Sequence, residues 1–310
     1  MALITRTGSG MITATIIQDS YSKSTKTRVT TYELIYPRFI HAELMTHRQF
    51  SRNAASSRAI PVERMLDVIA VQTAQPIHWG KNQVGMQAQE ELEQPMKIRV
   101  QSLWQEAAHT AVQFAKQMHL QGAHKQIVNR ITEPYQMMKT VVTSTEYANW
   151  FWLRNHQDAQ PEIHELARLM YELYEVSEPL ELGNNEWHVP YIRRDKTENA
   201  IAYFAGTEMV TLQDALKISA SCCAQVSYRR LDESLEKAKM VFARLIDSEP
   251  MHASPVEHQC TPIMYENVDR SDPEYWPKGV THLNACGSLG SGNFRDFIQH
   301  RQLLDDHTKY

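Results

Sequence analysis

Residues 46–58 read Thr-His-Arg-Gln-Phe-Ser-Arg-Asn-Ala-Ala-Ser-Ser-Arg. This stretch combines three arginines, three serines, an asparagine and a histidine, and it contains no acidic residue. Guanidinium groups form paired hydrogen bonds with phosphate oxygens, and hydroxyl and imidazole groups add single donors beside them. The stretch therefore predicts a site for an anionic ligand, and the alternative is a solvated basic loop.

The segments around this stretch alternate between strand-like and helix-like patterns. β-Branched and aromatic residues predict strands over 11–18 and 29–36. Pro37 is placed to open a helical segment that leads into residues 46–58, because proline is favoured in the first helical turn. Apolar residues at helical spacing predict four longer helices, over 96–119, 161–174, 211–226 and 232–246.

Two of these helices have a predicted inward face, and one region is predicted to be irregular. The apolar positions of the first long helix are Val100, Leu103, Ala107, Ala111, Phe114 and Met118. Those of the second are Ile163, Leu166, Met170 and Leu173. Residues 266–292 carry Asp-Pro, Trp-Pro and a glycine cluster, a composition that indicates a long loop.

Composition places the chain among ordinary globular proteins. It has 310 residues, 42% of them hydrophobic, and a formal net charge of −4. The negative charge argues against nonspecific binding to nucleic acid or to an anionic membrane, so the basic stretch favours a small anionic ligand. We find neither an export leader nor an apolar run of about 20 residues, the length that spans a bilayer. We therefore expect a cytoplasmic protein.

The four cysteines are expected to be free thiols. They form no Cys-x-x-Cys pair, and they are Cys222, Cys223, Cys260 and Cys286. None lies beside the kind of histidine and asparagine arrangement that activates a nucleophilic thiol. A catalytic cysteine is the less favoured alternative.

His47, Arg48 and Ser56 form the pattern His-Arg-x7-Ser. This pattern resembles the Arg-His-Arg-x7-Ser signature of the flavin-dependent thymidylate synthases. Further positions of the longer family signature are also matched, by Ser51, Asn53, Ser56 and Arg58. Two positions depart from it, since Thr46 replaces the first arginine and Ala54 replaces a glutamate.

Two separated stretches extend the resemblance. Residues 153–164, Leu-Arg-Asn-His-Gln-Asp-Ala-Gln-Pro-Glu-Ile-His, are similar to the family's Leu-Arg-x-x-x-(His/Asn)-Ala-Gln-x-Glu-Ile-Arg. Residues 254–258, Ser-Pro-Val-Glu-His, are similar to its Ser-Pro-Phe-Glu-His. The resemblance thus touches most of the chain, but in an altered order.

The resemblance implies a role for each matched position. The residues implied to hold the flavin are His47, Arg48, Asn53, Arg154, Asp158 and His258. Those implied to bind the nucleotide are Glu43, Ser56, Ser57, Arg58 and Lys139. Arg130 competes with Lys139 for the last position, and the spacing does not decide between them.

His164 is the implied catalytic residue and the most consequential departure. It stands where the family has an arginine that polarises the uracil ring. An imidazole can donate a hydrogen bond, but it need not be charged at neutral pH. Either another residue does the work of the arginine, or the substrate or the reaction step has changed. A surface histidine without a catalytic role is the further alternative.

No metal site is expected. His156, Asp158, Glu162 and His164 do not have the His-Glu-x-x-His spacing, and His252, His258 and Cys260 offer no stronger geometry. The glycine-rich residues 287–292 lack a following lysine and a preceding strand, so they indicate a flexible connection rather than a phosphate loop.

The resemblance implies an α/β (α+β) fold with a mixed sheet and long helices. We expect two units, 1–185 with the His-Arg-x7-Ser signature and 186–310 with the Ser-Pro-x-Glu-His element. A weak repeat supports an internal duplication, because residues 43–50 align with residues 296–303, which contain a second His-Arg pair. That second copy lacks the serine half of the signature.

The implied activity is that of a transferase in nucleotide biosynthesis, which transfers a one-carbon unit from 5,10-methylenetetrahydrofolate to C5 of a pyrimidine deoxynucleotide, as from dUMP to dTMP. FAD would supply hydride and NADPH would reduce the flavin. The alternatives are a pyrimidine-nucleotide hydroxymethylase on the same scaffold and a catalytically silent nucleotide- or flavin-binding paralogue. We expect a homo-oligomer, either a tetramer or a dimer if the repeat replaces a subunit contact.

Overall fold

The computed structural model describes residues 3–197, 201–227, 231–266 and 268–308. Its strands are β1 Ile4–Thr7, β2 Thr13–Ser22, β3 Arg28–Pro37, β4 Ser51–Ala54, β5 Met137–Ser144, β6 Leu180–Leu182, β7 Arg193–Lys196, β8 Ile201–Ala205, β9 Glu208–Val210, β10 Cys260–Pro262, β11 His282–Leu283, β12 Leu289–Ser291, β13 Phe294–Arg295 and β14 Phe297–Gln299. Its α-helices are α1 His41–Leu44, α2 Val62–Val71, α3 Gln94–Leu120, α4 Lys125–Val128, α5 Ala148–Arg154, α6 Pro161–Val176, α7 Leu212–Ala224 and α8 Leu235–Leu245. None of the helices in these ranges is long and apolar enough to cross a bilayer.

The largest sheet of the described chain is almost entirely antiparallel. Its strand order is β1-β2-β3-β5-β4, and every neighbouring pair in this order is antiparallel. The short strand β6 adds to β2 in parallel. Strands β2 and β3 confirm the strands predicted over 11–18 and 29–36. The architecture is therefore α+β.

One face of this sheet packs against α6. Tyr32 and Leu34 of β3 point to this face and are fully buried together with the inner side of the helix. Fully buried positions of α6 include the four that the sequence predicts as inward, Ile163, Leu166, Met170 and Leu173. Pro161 starts the helix, and the Gln160 side chain caps it by accepting the Ile163 N–H. The predicted amphipathic helix is confirmed.

The opposite face of the sheet is covered by the C-terminal half of the chain and is unusually polar. Thr31 of β3 and Thr143 of β5 are direct partners in the sheet, and both are fully buried. Glu33, two residues further along β3, accepts a hydrogen bond from the Tyr191 hydroxyl. Buried polar groups need partners, and here they find them in residues that lie more than 100 positions away.

Beyond residue 185, the described part of the chain forms small sheets together with helices α7 and α8. Strands β7, β8 and β9 form an antiparallel sheet beside α7, and β10 pairs with β14. The predicted loop 266–292 contains the short strands β11 and β12, which β13 extends into a three-stranded sheet. One buried cluster joins residues from both halves, namely Val29, Leu182, Cys260, Phe294 and Phe297. The division at residue 185 stays a prediction.

Helix α3 confirms the helix predicted over 96–119, but the predicted inward face is wrong. Its buried residues are Ala108, Val112 and Ala115, and the last two belong to a buried cluster with residues of α2. Leu103 and Phe114, from the predicted face, are 46% and 57% exposed. The helix approaches its neighbour through small residues, which allow close packing, and this leaves the stripe of larger apolar side chains on an adjacent side.

The two copies of the proposed repeat differ in local structure. Residues 43–50 comprise the end of α1 followed by turns, whereas residues 297–299 form β14 and His300 begins a 3₁₀ helix. The short sequence match is therefore not reflected in a shared conformation, and this comparison does not support the internal duplication.

Candidate functional site

The signature stretch leaves α1 through turns and returns to the sheet as β4. Arg52 stabilises this path, because its Nη1 donates to the carbonyl oxygens of Met45 (3.0 Å) and His47 (3.1 Å). β4 then pairs with β5 at the end of the sheet order. Arg52 is not among the residues predicted for the site, and its position within the basic stretch 46–58 is the sequence signal that points to it.

Arg154 brings the signature together with the end of α5. Its Nε donates to Nε2 of His47 at 3.0 Å, and its Nη1 lies 3.5 Å from the Glu43 carboxylate. Its Nη2 donates to the Thr46 hydroxyl at 3.4 Å. Three residues predicted for the site, Glu43, His47 and Arg154, thus converge although Arg154 is more than 100 positions away in sequence. We call these three residues and Thr46 the Arg154 cluster.

His47 is held as a neutral ring. It packs parallel to Phe50 with ring centres 5.8 Å apart and edge-on to Trp150 at 4.7 Å. Burial, and then the charges of Arg154 and Arg52, lower the pKa of His47 to about 4. Nε2 accepts the Arg154 N–H, so in the neutral ring the hydrogen is assigned to Nδ1. His47 therefore offers a neutral donor at neutral pH.

The two departures from the signature have different structural consequences. The Thr46 hydroxyl donates to the Glu43 carbonyl at 2.7 Å and accepts from Arg154, so threonine contributes an acceptor where the family has a cation. Ala54 ends β4 opposite Thr140 and contributes no polar group. Residues 46–58 consequently carry one positive and one negative charge fewer than the family signature that they resemble.

Arg48 has a different environment from its neighbour His47. Its side chain is exposed and makes no hydrogen bond or ion pair with the residues that the structure describes. It lines a cavity of about 460 Å³ whose opposite wall belongs to residues 282–295. An unpaired guanidinium at the edge of a cavity is available to a ligand.

In the Ser56–Arg58 turn, Ser57 is held by hydrogen bonds within the fold, whereas Arg58 is exposed to solvent. The Ser57 hydroxyl donates to Glu133 at 2.9 Å, the Ser57 carbonyl accepts from Asn129 at 2.7 Å, and Ser57 is buried. Ser57 therefore fixes the turn. Arg58 is exposed.

Lys139 and Arg130 lie on either side of this turn. The backbone carbonyl of Lys139 accepts from Ala55 at 2.8 Å, but the Lys139 ammonium is paired with Glu33 at 2.8 Å. Arg130 is largely exposed and lies 3.9 Å from Glu133, the carboxylate that also holds Ser57. The geometry thus favours Arg130 as the cation near the turn.

His258 belongs to a buried row of hydrogen bonds that crosses the polar face of the sheet. Its Nδ1 lies 2.8 Å from the Thr143 hydroxyl, which lies 2.7 Å from the Thr31 hydroxyl. The row continues from Thr31 to Nε2 of His188 at 2.8 Å and from Nδ1 of His188 to Ser20 at 3.0 Å. All five residues are fully buried.

Burial lowers the pKa of both histidines in this row to about 3. With both rings neutral, the hydroxyls can donate either all toward His258 or all toward Ser20, so both rings carry their hydrogen on the same type of nitrogen. Nε2 of His258 has no partner among the described residues. His258 is fully buried, whereas Arg48 and Asp158, which are also implied to hold the flavin, are exposed.

Asn53 connects the signature with the C-terminal half, whereas the second His-Arg pair makes its contacts within that half. The Asn53 amide donates to the Cys223 carbonyl at 3.1 Å, and its oxygen is buried without a partner among the described residues. Arg301 forms an ion pair with Glu257 of the Ser-Pro-x-Glu-His element. His300 packs edge-on to Trp187, and burial lowers its pKa to about 4.

His164 and Asp158 remain outside the Arg154 cluster. His164 is half-buried in the first turns of α6, and Asp158 is exposed and lies 3.6 Å from His156. Glu162 is buried and accepts the Ile77 N–H at 2.7 Å, so it serves the fold. The described ranges contain no group of three or more side chains with the geometry of a metal site.

The cysteines fall into two kinds. Burial raises the pKa of the Cys222, Cys223 and Cys260 thiols, which disfavours the reactive thiolate. Cys286 is exposed, and hydrogen bonding, first from Ser288, lowers its pKa. It lines the same cavity as Arg48.

The fold and this cluster define an α+β protein with a basic, imidazole-containing site at one end of its main sheet. Comparison with protein-family models matches residues 7–179 to the thymidylate synthase complementing protein family, the flavin-dependent thymidylate synthases. The match covers more than half of the chain, and the chain belongs to this family. The comparison with curated proteins gave no match. Family membership supports thymidylate synthase-type function, and with it a transferase of nucleotide biosynthesis.

Proposed function

We propose that the protein transfers the one-carbon unit of 5,10-methylenetetrahydrofolate to C5 of a pyrimidine deoxynucleotide, with FAD as the hydride carrier and NADPH as the reductant. The single observation that carries the proposal is the Arg154 cluster. It joins the two separate stretches that resemble the flavin-dependent family through one guanidinium. Membership of that family is the independent support.

The residues around the cluster fit an anionic, aromatic cofactor. Arg48 is an unpaired cation, and the neutral His47 offers a donor beside the Trp150 and Phe50 rings. Asn53 and His258 each keep one buried polar atom without a partner among the described residues. We assign the flavin to His47, Arg48 and Arg154, with Asn53 and His258 as buried supports. When bound, the flavin supplies hydride chemistry that amino-acid side chains lack.

The nucleotide phosphate is assigned to the Ser56–Arg58 turn. Ser57 and Asn129 fix the turn, and Arg58 supplies an exposed guanidinium. Glu43 is held by Arg154, so its carboxylate can accept a hydrogen bond from the nucleotide. Arg130 is favoured over Lys139 as the second cation, because its contact with Glu133 is long (3.9 Å) and largely exposed, whereas the Lys139 ammonium is paired with Glu33 at 2.8 Å.

This assignment requires no covalent enzyme thiolate. The raised pKa values of Cys222, Cys223 and Cys260 agree with a reaction that uses no thiolate. The chain's own residues would bind and orient the substrate and stabilise charge, and His164 remains the candidate for activating the pyrimidine ring.

Two other functions remain as alternatives, both motivated by Thr46, Ala54 and His164. A hydroxymethylase would trap the methylene carbon with water, and a silent paralogue would bind nucleotide or flavin without turnover. At these three positions charged residues of the family motifs are replaced, yet the contacts of the Arg154 cluster are present. This combination favours keeping both alternatives.

We further propose a homo-oligomer that buries the exposed stripe of α3. A surface with Leu103, Phe114 and neighbouring apolar residues in contiguous helical register is unusual for a monomer. A second copy of this chain would cover this stripe, because the protein is expected to be a homo-oligomer.

The decisive experiment combines a binding measurement with product analysis. Purified protein is titrated with FAD while flavin fluorescence is followed, and then incubated with dUMP or dCMP, methylenetetrahydrofolate and NADPH. Mass spectrometry of the nucleotide distinguishes a methyl from a hydroxymethyl product. FAD binding with a methylated uracil product supports the proposal, and absence of FAD binding contradicts it.

A further inference from the structure

We propose that residues 282–295, which lie outside the family match, form the second wall of a site for the phosphate groups of the dinucleotide cofactor. This inference rests on the proposed function and extends it to a part of the chain that the family match does not reach. The first wall is the Arg48 end of the signature. The ligand chemistry is a diphosphate, either within FAD or free.

The cavity between these walls has the size of a ligand site. Its volume of about 460 Å³ lies in the range of about 300–1,000 Å³ that is usual for small-molecule pockets. Arg48, Gln49 and Thr145 line one side, and the other side is formed by His282, Asn284, Cys286 and Arg295 among others. The lining is rich in hydrogen-bond donors, as an oxyanion ligand requires.

The charges in the cavity leave an excess of positive charge. Arg295 lies 3.4 Å from the Glu146 carboxylate, so these two lining residues largely balance each other. Arg48 has no ion-pair partner in the described part of the chain. A ligand with negative charge would therefore meet one uncompensated guanidinium, which binds phosphate oxygens in bidentate geometry.

The two walls are joined by specific hydrogen bonds. The Asn293 amide donates to the Gln49 carbonyl at 2.8 Å, and the Arg295 backbone N–H donates to the Thr145 hydroxyl at 2.9 Å. The Asn293 oxygen accepts from Ser51 of the signature at 3.2 Å. These contacts fix the segment against the signature, so the cavity is a built feature of the fold.

Gly290 determines how one lining group is placed. A Cβ atom at this position would lie 2.4 Å from the His282 ring, so glycine is what permits the ring to lie against β12. The glycine-rich stretch 287–292 therefore contains a strand, Leu289–Ser291, of a small sheet that positions cavity residues, and the prediction of a flexible connection is wrong.

Cys286 provides a direct test, because it is the exposed thiol of this cavity while Cys222, Cys223 and Cys260 are buried. The rate of Cys286 labelling by a chromogenic disulfide is measured on the whole native chain with FAD, with inorganic pyrophosphate and with riboflavin, which has no phosphate. At nine-tenths occupancy, FAD and pyrophosphate should each slow labelling about tenfold, in proportion to the free fraction. Riboflavin should leave the rate unchanged.

Arg48→Gln should remove the protection by pyrophosphate, and Arg99→Gln, at an exposed arginine of α3, is the charge-matched control that should retain it. Protection by pyrophosphate without FAD binding would support the phosphate site while removing the flavin proposal. FAD binding by fluorescence with no protection of Cys286 would overturn this inference and leave the proposed function standing. Equal protection by riboflavin would also overturn it, because the phosphates would then be irrelevant.

Discussion

Arg154 is the residue on which the candidate site depends. It contacts His47, Glu43 and Thr46 from the far end of α5, and its Nε–H is what assigns the His47 tautomer. The exposed Arg48 and Arg58 have a different role, because their guanidinium donors are available to a ligand. Substitutions of single residues should therefore distinguish side chains that bind a ligand from side chains that hold the site together.

Arg58→Ala should weaken binding of a pyrimidine monophosphate while leaving the fold intact. Loss of a charge-assisted contact to phosphate costs about 2–3 kcal/mol, whereas an exposed arginine contributes little to stability. Isothermal titration calorimetry with dUMP gives the affinity, and thermal unfolding gives the stability. Arg99→Ala is the matched control, and equal dUMP affinity in both variants would place the phosphate elsewhere.

His164→Arg should raise turnover of a uracil nucleotide at alkaline pH relative to the natural chain, if position 164 activates the ring. The reason is that a guanidinium stays protonated where an imidazole is neutral. Initial rates at pH 6 and pH 8.5 measure the effect, and mass spectrometry identifies the product. An unchanged pH profile with an unchanged product would make His164 a surface histidine without a catalytic role.

At the scale of elements, the polar face of the sheet is the least expected feature. β3 and β5 place Thr31 and Thr143 side by side, and both hydroxyls are buried between two histidines. The row works only as a unit, because each hydroxyl has a single hydrogen to donate. The orientation of one end therefore depends on the other end.

Thr143→Val should destabilise the protein by about 1–3 kcal/mol, the cost of leaving buried partners unsatisfied. Chemical denaturation measures this free energy of unfolding. ¹⁵N NMR of the imidazoles should show His188 and His258 sharing one tautomer in the natural chain, and the valine should uncouple them. Thr143→Ser retains the hydroxyl and should preserve the coupling, and different tautomers in the natural chain would contradict the proposed row.

Helix α3 supplies the second prediction at this scale. Phe114→Glu should dissociate the oligomer, because a charge cannot be buried in an apolar contact without a partner. Gln113→Glu adds the same charge on a different side of the helix and should leave the assembly intact. Light scattering after size-exclusion chromatography gives the mass, and a natural chain that is monomeric at all concentrations would refute the interface.

At the scale of the whole molecule, buried neutral histidines determine the response to acid. The pKa values of His188 and His258 lie near 3 in the folded protein, below the unfolded value of 6.5. A depressed folded pKa means that the unfolded chain binds more protons, so this stability is present above pH 6.5 and is lost as the pH falls toward 3. At pH 5 a large part of the stabilisation from these two histidines is already lost.

We therefore expect the free energy of unfolding to fall by about 2 kcal/mol for each of these two histidines between pH 7 and pH 5. Urea denaturation at both pH values measures the change. Unfolding at pH 5 should also take up at least about two protons, because both imidazoles are neutral when folded and charged when unfolded. A pH-independent stability over this interval would show that the rings are not held neutral.

Local pattern was enough to predict the main helices and the two central strands. The periodicity of residues 161–174 predicted the inward face of α6 correctly, because the four predicted positions are all buried against one partner, the sheet. The same reasoning failed for α3, where the stripe of larger apolar residues differs from the contact face. Periodicity shows which side of a helix is apolar. It does not show whether the residues that pack on that side belong to the same chain or to another copy.

The sequence by itself determined that residues 46–58 and 153–164 resemble motifs of one family, and this resemblance implied that His47 and Arg154 hold the same cofactor. Only the tertiary structure decided that Lys139 is occupied by Glu33, that His258 is enclosed in a row with His188, and that residues 282–295 line a cavity with Arg48. The physical reason is that hydrogen bonds and charge pairing depend on neighbours from distant parts of the chain. Residue type gives what a side chain can bind, and the fold decides which partner it has already found.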